Sequence, residues 1–90
     1  MEFSWDPAKN DRTFRERKFD FDYAAKMFLG EVLEWCDSRR SYGEVRVAAI
    51  GRVEVEMLVV VYTDRGDVRH IISARPANRK ERTLWRELFG

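Results

Sequence analysis

Apolar positions are densest in residues 57–75, MLVVVYTDRGDVRHIISAR, where two apolar runs flank a tight Asp-Arg-Gly turn. The first run, residues 57–61, is almost wholly apolar and β-branched, and it is too short for an ordinary helix. This pattern predicts a strand that is buried on both faces at the centre of a sheet. The second run, residues 68–75, alternates, which predicts two sets of side chains on opposite faces. One predicted set is Arg69, Ile71, Ser73 and Arg75, and the other is Val68, His70, Ile72 and Ala74.

Helical patterns occupy most of the first third of the chain. Asp6 followed by Pro7 predicts a helix that runs to Arg17, because Asp accepts hydrogen bonds from the first amides and Pro suits the first turn. Few positions of this helix are apolar, which predicts that most of its circumference is exposed. Apolar residues recur at helical spacing again in residues 19–29, so a second helix is predicted there, with Asp20 as its cap.

The last dozen residues predict a third helix, over residues 78–89. Asn78 is its predicted cap, and Glu81 stands three residues later, as a capping box requires. The predicted buried stripe of this helix consists of Leu84, Trp85 and Leu88.

Shorter patterns predict the remaining strands. Residues 3–6 predict an edge strand, residues 31–36 and 44–50 predict two more strands, and residues 37–43 predict a charged turn. A reversal is expected within residues 51–56, although they lack the usual Asn-Gly or Asp-Gly pair. No βαβ repeat occurs, so the order of elements predicts an α+β domain over residues 1–90. Its antiparallel sheet would have two N-terminal helices and one C-terminal helix.

Charge is unevenly distributed along the 90 residues. The net charge of +1 argues against a generic nucleic-acid-binding protein, yet residues 1–18, 19–63 and 64–90 carry net charges of +1, −3 and +3. The basic C-terminal part offers a surface for an anionic partner.

Cysteine use and hydropathy restrict the compartment and the cofactors. The single cysteine, Cys36, cannot form an intramolecular disulfide, and no Cys/His cluster has zinc-site spacing. No apolar run is long enough to span a membrane, and the N-terminus lacks the pattern of a signal peptide. We therefore expect a cytoplasmic protein without a metal, another cofactor or a membrane partner.

The candidate chemistry rests on arginines and one histidine. A guanidinium keeps its charge and can hold a phosphate bidentately. Attack of a ribose 2′-hydroxyl on the adjacent phosphodiester needs alignment and charge stabilisation, which a phosphate-reading face formed by Arg65, Arg69 and Arg75 could supply. His70 is the candidate base because its pKa is ordinarily near neutrality. Possible proton donors are Tyr42 and Tyr62, and possible base-stacking residues are Trp5, Trp35 and Trp85. Solvated arginines and a packed, hydrogen-bonded histidine are the competing interpretation.

Four stretches resemble one known family. They are Trp5-Asp6-Pro7-Ala8-Lys9; Phe21 with Ala24 and Phe28; Tyr42-Gly43-Glu44 with Ile50-Gly51-Arg52; and VVVYTDRG followed by IISAR and Glu81-Arg82. In this order they resemble the BrnT-type toxins of bacterial BrnT–BrnA type II toxin–antitoxin systems. The resemblance implies a RelE-like ribonuclease fold and a metal-independent endoribonuclease that cleaves RNA and blocks translation. It also implies a BrnA-like antitoxin, which neutralises the toxin and through which the complex binds operator DNA.

Residue by residue, the resemblance matches Arg65 and Arg75 to family arginines and Lys9 to a family basic position. We expect RNA to be placed by Lys9, Arg12, Arg17, Lys18 and Arg79. Three departures stand out. Glu16-Arg17-Lys18 replaces the usual Lys-His-Gly run, His70 replaces the arginine that opens the R-I-I-S-A-R stretch, and no glycine follows Val53.

Two functional hypotheses follow. The first is a ribonuclease toxin in which Arg65, His70 and Arg75 act on the scissile phosphate. The second is a catalytically weak or inactive module that binds an antitoxin and takes part in repressing their operon. A small-molecule enzyme is disfavoured because the chain is short and lacks a cofactor motif.

Overall fold

A computed structural model describes residues 1–37 and 43–90 of the chain. Tyr42 and most of the charged turn predicted at residues 37–43 lie outside the described residues. The described elements are β1 Glu2–Trp5, α1 Pro7–Arg17, α2 Phe21–Ala25, a 3₁₀ helix Lys26–Leu29, β2 Leu33–Cys36, β3 Val47–Val53, β4 Glu56–Arg65, β5 Val68–Pro76 and α3 Arg79–Phe89.

The five described strands form one mixed sheet in the order β1-β5-β4-β3-β2. Strand β4 is central, and its residues from Met57 to Thr63 are all buried, as predicted. Strand β1 is an edge strand, also as predicted, but it pairs parallel to β5, whereas the other pairs are antiparallel. Parallel pairing is possible here because residues 6–67, about two thirds of the chain, separate the two strands. The fold is therefore α+β, with two N-terminal helices and one C-terminal helix among the described residues.

The predicted helix caps are present. Asp6 accepts a hydrogen bond from the Ala8 amide at 2.9 Å, and Asp20 accepts one from the Tyr23 amide at 2.9 Å. The second helix is shorter than predicted, because α2 ends at Ala25 and the chain tightens into the 3₁₀ helix. There Met27 packs so close to Gly51 that a Cβ on Gly51 would lie 3.0 Å from the Met27 side chain.

Each face of the sheet has its own apolar cluster. On one face, α2 and the 3₁₀ helix cover a cluster that includes Leu58, Val60 and Tyr62 of β4. On the other, Trp85 of α3 packs against a cluster that includes Met57 and Val59. Only part of the predicted stripe of α3 is buried, since Leu84 and Leu88 are 42% and 60% exposed. The helix rests on the sheet through Trp85 and leaves the neighbouring side uncovered.

A β-bulge changes which side chains of β5 share a face. Val61 pairs with Ser73 but Tyr62 pairs with Ile71, so Ile72 is an extra residue in β5. Residues on either side of a bulge lose the simple alternation, and Ile71 and Ala74 accordingly lie in the same core cluster. The predicted faces of β5 were therefore wrong. Arg69 and Ile71 share the face of Ala74, whereas His70 shares the opposite face with Ser73 and Arg75.

Candidate functional site

The candidate site lies on the side of the sheet that bears α3, beyond the part that Trp85 covers. We call this surface the open face and define it by Arg65, His70, Ser73 and Arg75. Paired residues of neighbouring strands share a face, and His70 pairs with Thr63 while Ser73 pairs with Val61. A cavity of about 280 Å³ occupies its middle, lined in part by Ser73, Arg75 and the exposed Trp35. Beyond the cavity lies the polar end of the sheet, which carries His70 and Arg65.

His70 is half-buried and anchored through one ring nitrogen. Its Nδ1 lies 2.8 Å from the Oγ of Ser4, the residue that pairs with it across the parallel β1–β5 ladder. Partial burial is the main cause that lowers the pKa of His70 below 6.5. The positive charges of Arg65 and Lys9 lower the pKa further, and the carboxylates of Glu44 and Asp6 oppose them. The imidazole is therefore neutral at physiological pH.

Arg65 is held in place by a carboxylate but retains donors. Its Nε and Nη2 donate to the two oxygens of Glu44 at 2.8 and 3.1 Å, which lowers the pKa of Glu44. A guanidinium has five N–H groups, so about three remain for another acceptor. The side chain is 53% exposed, which leaves room for one.

Arg75 ties the sheet to the last helix. Its Nη1 and Nη2 donate to the two oxygens of Glu81 at 2.8 and 2.7 Å, and Nη1 also donates to the Pro76 carbonyl at 3.2 Å. Glu81 at the same time accepts from the amide of Asn78, which completes the predicted capping box. The Arg75 guanidinium is the first cause that lowers the pKa of Glu81.

Arg65 and Arg75 do not converge on one point. Arg75 pairs with Val59, which is six residues from Arg65 along β4, so their backbones are about 20 Å apart. The expectation that both guanidinium groups hold one phosphate does not fit this geometry. The structure instead places Arg65 near His70, whose pairing partner Thr63 is two residues from Arg65 along β4, and it groups Arg75 with Trp35 and Ser73.

Arg69, predicted on the phosphate-reading face, lies on the opposite face of the sheet. It donates twice to Asp64, at 2.8 and 3.0 Å, and its guanidinium carbon is 4.0 Å from the ring centre of Tyr62. The Tyr62 hydroxyl donates to Glu34, and burial together with that bond raises its pKa. Tyr62 is consequently a poor proton donor, and Arg69, only 15% exposed, serves packing.

The other predicted residues are scattered. Among the described residues, Arg12, Arg17 and Lys18 are exposed on α1 or at its end, and Arg79 is exposed at the start of α3. Trp85 is buried and Trp5 packs edge-on against Phe21, whereas Trp35 remains 42% exposed beside the cavity. Sequence reasoning missed Ser4 and Glu44, the partners of His70 and Arg65. Both come from distant parts of the chain, and only the strand pairing could have indicated Ser4.

The comparison with family models matches residues 5–81 to the ribonuclease toxin BrnT of type II toxin–antitoxin systems. The chain belongs to the BrnT family. The match includes Lys9, Arg65, His70 and Arg75, and it confirms the resemblance read from the sequence. Members of this family are ribonuclease toxins, so RNA is the target class and an antitoxin is the partner of this BrnT chain. No curated protein matches the chain.

The described part of the BrnT chain also bears on membranes and metals. Within residues 1–37 and 43–90, no helix is both long and apolar enough to cross a membrane. No group of three or more His, Cys, Asp or Glu side chains in the same part of the chain is arranged to hold a metal ion.

Proposed function

We propose that this chain is a metal-independent endoribonuclease that cleaves cellular RNA in the bacterial cytoplasm and thereby arrests translation and growth. The observation that carries the proposal is that His70 and Arg65 share the polar end of the open face, since His70 pairs with Thr63, two residues from Arg65 along β4. The positive charge of Lys9 also acts on the His70 ring. A neutral imidazole near cationic side chains suits a reaction in which a hydroxyl loses a proton while negative charge builds on phosphorus.

In the proposed reaction, the ribose 2′-oxygen forms a bond to the adjacent phosphorus and the bond from phosphorus to the 5′-oxygen breaks. His70 accepts the proton of the 2′-hydroxyl and later returns it to solvent, and the leaving 5′-oxygen takes a proton from solvent. The products are a 2′,3′-cyclic phosphate and a 5′-hydroxyl. The N–H groups of Arg65 that Glu44 does not use, together with Lys9, stabilise the charge on the phosphoryl oxygens.

Arg75 acts farther along the RNA in this proposal. It borders the cavity with Trp35 and Ser73, where an exposed indole offers a stacking platform for a base. Arg75 then contacts a neighbouring phosphate while its ion pair with Glu81 fixes its position. Arg12, Arg17, Lys18 and Arg79 are the proposed outer contacts to the RNA backbone, since they are exposed and basic.

A BrnA-like antitoxin is the proposed partner, and operator DNA is contacted through the complex. We infer that the antitoxin covers the open face, because a folded ribonuclease is silenced most directly by occupying its substrate surface. The exposed side chains of Trp35, Leu84 and Leu88 offer apolar contacts for such a partner. Glu81, Leu84 and Leu88 share one side of α3, and Glu81 contacts Arg75, so this side faces the open face.

The test compares bacteria that express the wild type, Arg75→Ala or Glu81→Gln, with new 5′ ends mapped in their transcripts. Glu81→Gln is the matched control because it weakens the same ion pair but keeps the guanidinium. We expect growth arrest and abundant new 5′-hydroxyl ends with the wild type and with Glu81→Gln. We expect weaker arrest and far fewer such ends with Arg75→Ala, which loses one RNA contact but keeps His70 and Arg65. Thermal denaturation of both purified variants checks that they remain folded. If Arg75→Ala and Glu81→Gln lose growth arrest and new 5′ ends to the same extent, Arg75 serves only to anchor α3.

One observation favours a second candidate function. Arg65 and Arg75 each form an ion pair with a carboxylate, and the two arginines lie far apart. Both features are expected of a catalytically weak module that binds an antitoxin and takes part in repressing their operon. In that case the wild type expressed without an antitoxin is harmless and produces no new transcript ends.

A further inference from the structure

Only one of the two ring nitrogens of His70 has a hydrogen-bond partner among residues 1–37 and 43–90. Nδ1 is 2.8 Å from the Ser4 hydroxyl, and the parallel register places these residues side by side on neighbouring strands. Nε2 has no described hydrogen-bond partner in residues 1–37 and 43–90, and it is therefore the ring nitrogen that can meet a substrate. We propose that Ser4 is a positioning residue that accepts a hydrogen bond from Nδ1–H and so leaves Nε2 to take the proton of the RNA 2′-hydroxyl. This inference rests on the proposed function and deepens it.

The two possible tautomers have different consequences. If Nε2 carries the hydrogen, Ser4 donates to Nδ1 and the imidazole has no lone pair for the substrate. If Nδ1 carries the hydrogen, Ser4 accepts it and Nε2 is basic. After Nε2 takes the proton, the imidazolium keeps its Nδ1–H bond to Ser4, so the anchor is unchanged by proton transfer. Backbone pairing holds Ser4 itself, because it lies within β1.

The charged groups around the ring favour the neutral imidazole over the imidazolium. Ser4 contacts the ring from β1, Asp6 and Lys9 approach from the start of α1, Glu44 from the segment before β3, and Arg65 from the end of β4. Burial and the two cations disfavour the imidazolium before the reaction, whereas Glu44 and Asp6 limit that effect. The ring is thus neutral and able to accept a proton.

The experiment uses the fact that His70 is the only histidine of the chain. Imidazole ¹⁵N spectra of the full-length protein, recorded across a pH titration, report the tautomer and the pKa of this one ring. For the wild type we expect a pyrrole-type signal at Nδ1 and a pyridine-type signal at Nε2 above the pKa. For Ser4→Ala we expect a shift toward the other tautomer, and Ser4→Thr, which keeps a hydroxyl, should restore the wild-type spectrum.

RNA cleavage gives the second measurement. We expect Ser4→Ala to lower kcat about tenfold with little change in KM, which is part of the roughly 10²- to 10⁴-fold that a general base contributes. Ser4→Thr should recover most of the rate. Thr83→Ala is the matched control, because it removes another hydroxyl with one described hydrogen bond, 3.0 Å from the Arg79 carbonyl, away from the open face.

The outcomes separate the two proposals. A wild-type chain that leaves RNA intact refutes the proposed function, and the nitrogen spectra still decide whether Ser4 sets the tautomer. Hydrogen on Nε2 in the wild type overturns the inference even if RNA is cleaved. Unchanged spectra and rates in Ser4→Ala also overturn it.

Discussion

At the scale of single residues, His70 links stability to pH. Its pKa in the folded chain lies below the ordinary value of 6.5, chiefly because the ring is partly buried. Between the folded-state pKa and about 6.5, the unfolded chain binds more protons than the folded chain. The free energy of unfolding therefore falls as pH decreases through this window, and it is insensitive to His70 above it.

We expect this pH-dependent part of the free energy of unfolding to be absent from His70→Gln, because glutamine keeps a polar side chain but does not titrate. Urea denaturation of both proteins at several pH values from about 7.5 to 5.5 measures the difference, since the carboxylates are common to both. The extra slope of the wild type is at most about 1.4 kcal/mol per pH unit for one proton. A wild type whose stability falls no faster than that of the variant would contradict the assignment.

Single residues also show which site features the sequence could predict. Arg65, His70 and Lys9 are recognisable from residue type and position, because charge and pKa are intrinsic to the side chains. Their partners are not, since Ser4 and Glu44 are brought to them by strand pairing across long separations. The ion pair of Arg75 with Glu81 is closer in sequence, but it depends on how α3 turns back onto the sheet.

At the scale of elements, local signals were the most reliable. Asp6, Asp20 and Asn78 each begin a helix as predicted, because capping depends on a few neighbouring residues. The β-bulge at Ile72 was not predictable, because nothing in the residue types of β5 marks an inserted position. Its effect on the site is large, since it moves Arg69 off the open face and brings His70 onto it.

The β3–β4 hairpin offers a test at this scale. Val53 pairs with Glu56, so Glu54 and Val55 form the turn, and Glu54 has a φ of 55°. Gly66 occupies the corresponding first position of the β4–β5 turn, with a φ of 60°. An L side chain is strained in that region, whereas glycine is not.

We expect Glu54→Gly to raise the free energy of unfolding by about 0.5–1 kcal/mol, the strain relief exceeding the greater flexibility of glycine in the unfolded chain. Val55→Gly is the control, because Val55 has no positive φ and the change adds only flexibility. It should destabilise the protein. Urea denaturation measures both, and a Glu54→Gly protein less stable than the wild type would show that the turn is not strained.

At the scale of the whole molecule, the arrangement of charge matters more than its total. The net charge is only +1, yet Arg65 and Arg75 belong to the open face while Arg69 is neutralised by Asp64 on the other face. A basic surface on a nearly neutral protein should contact few phosphates of the RNA at once. The affinity for RNA should therefore depend only moderately on salt.

We expect the affinity of His70→Ala for a labelled single-stranded RNA that is too short to reach the outer contacts to fall with salt with a logarithmic slope of about −2, as the three phosphate contacts of Lys9, Arg65 and Arg75 would give. Lys9→Gln in the same background should reduce the magnitude of the slope by about 0.7. Fluorescence anisotropy between about 50 and 200 mM salt measures both. A slope near zero would mean that the RNA is not held by its phosphates.

We propose that the open face cleaves RNA without a metal, with His70 as the proton acceptor. The most direct measurement incubates the purified chain, free of antitoxin, with single-stranded RNA in excess chelator and identifies the end groups. We expect 2′,3′-cyclic phosphate and 5′-hydroxyl ends from the wild type, and a rate at least about a hundredfold lower from His70→Gln. Intact RNA, ends with a 5′-phosphate, or an equal rate from His70→Gln would contradict the claim.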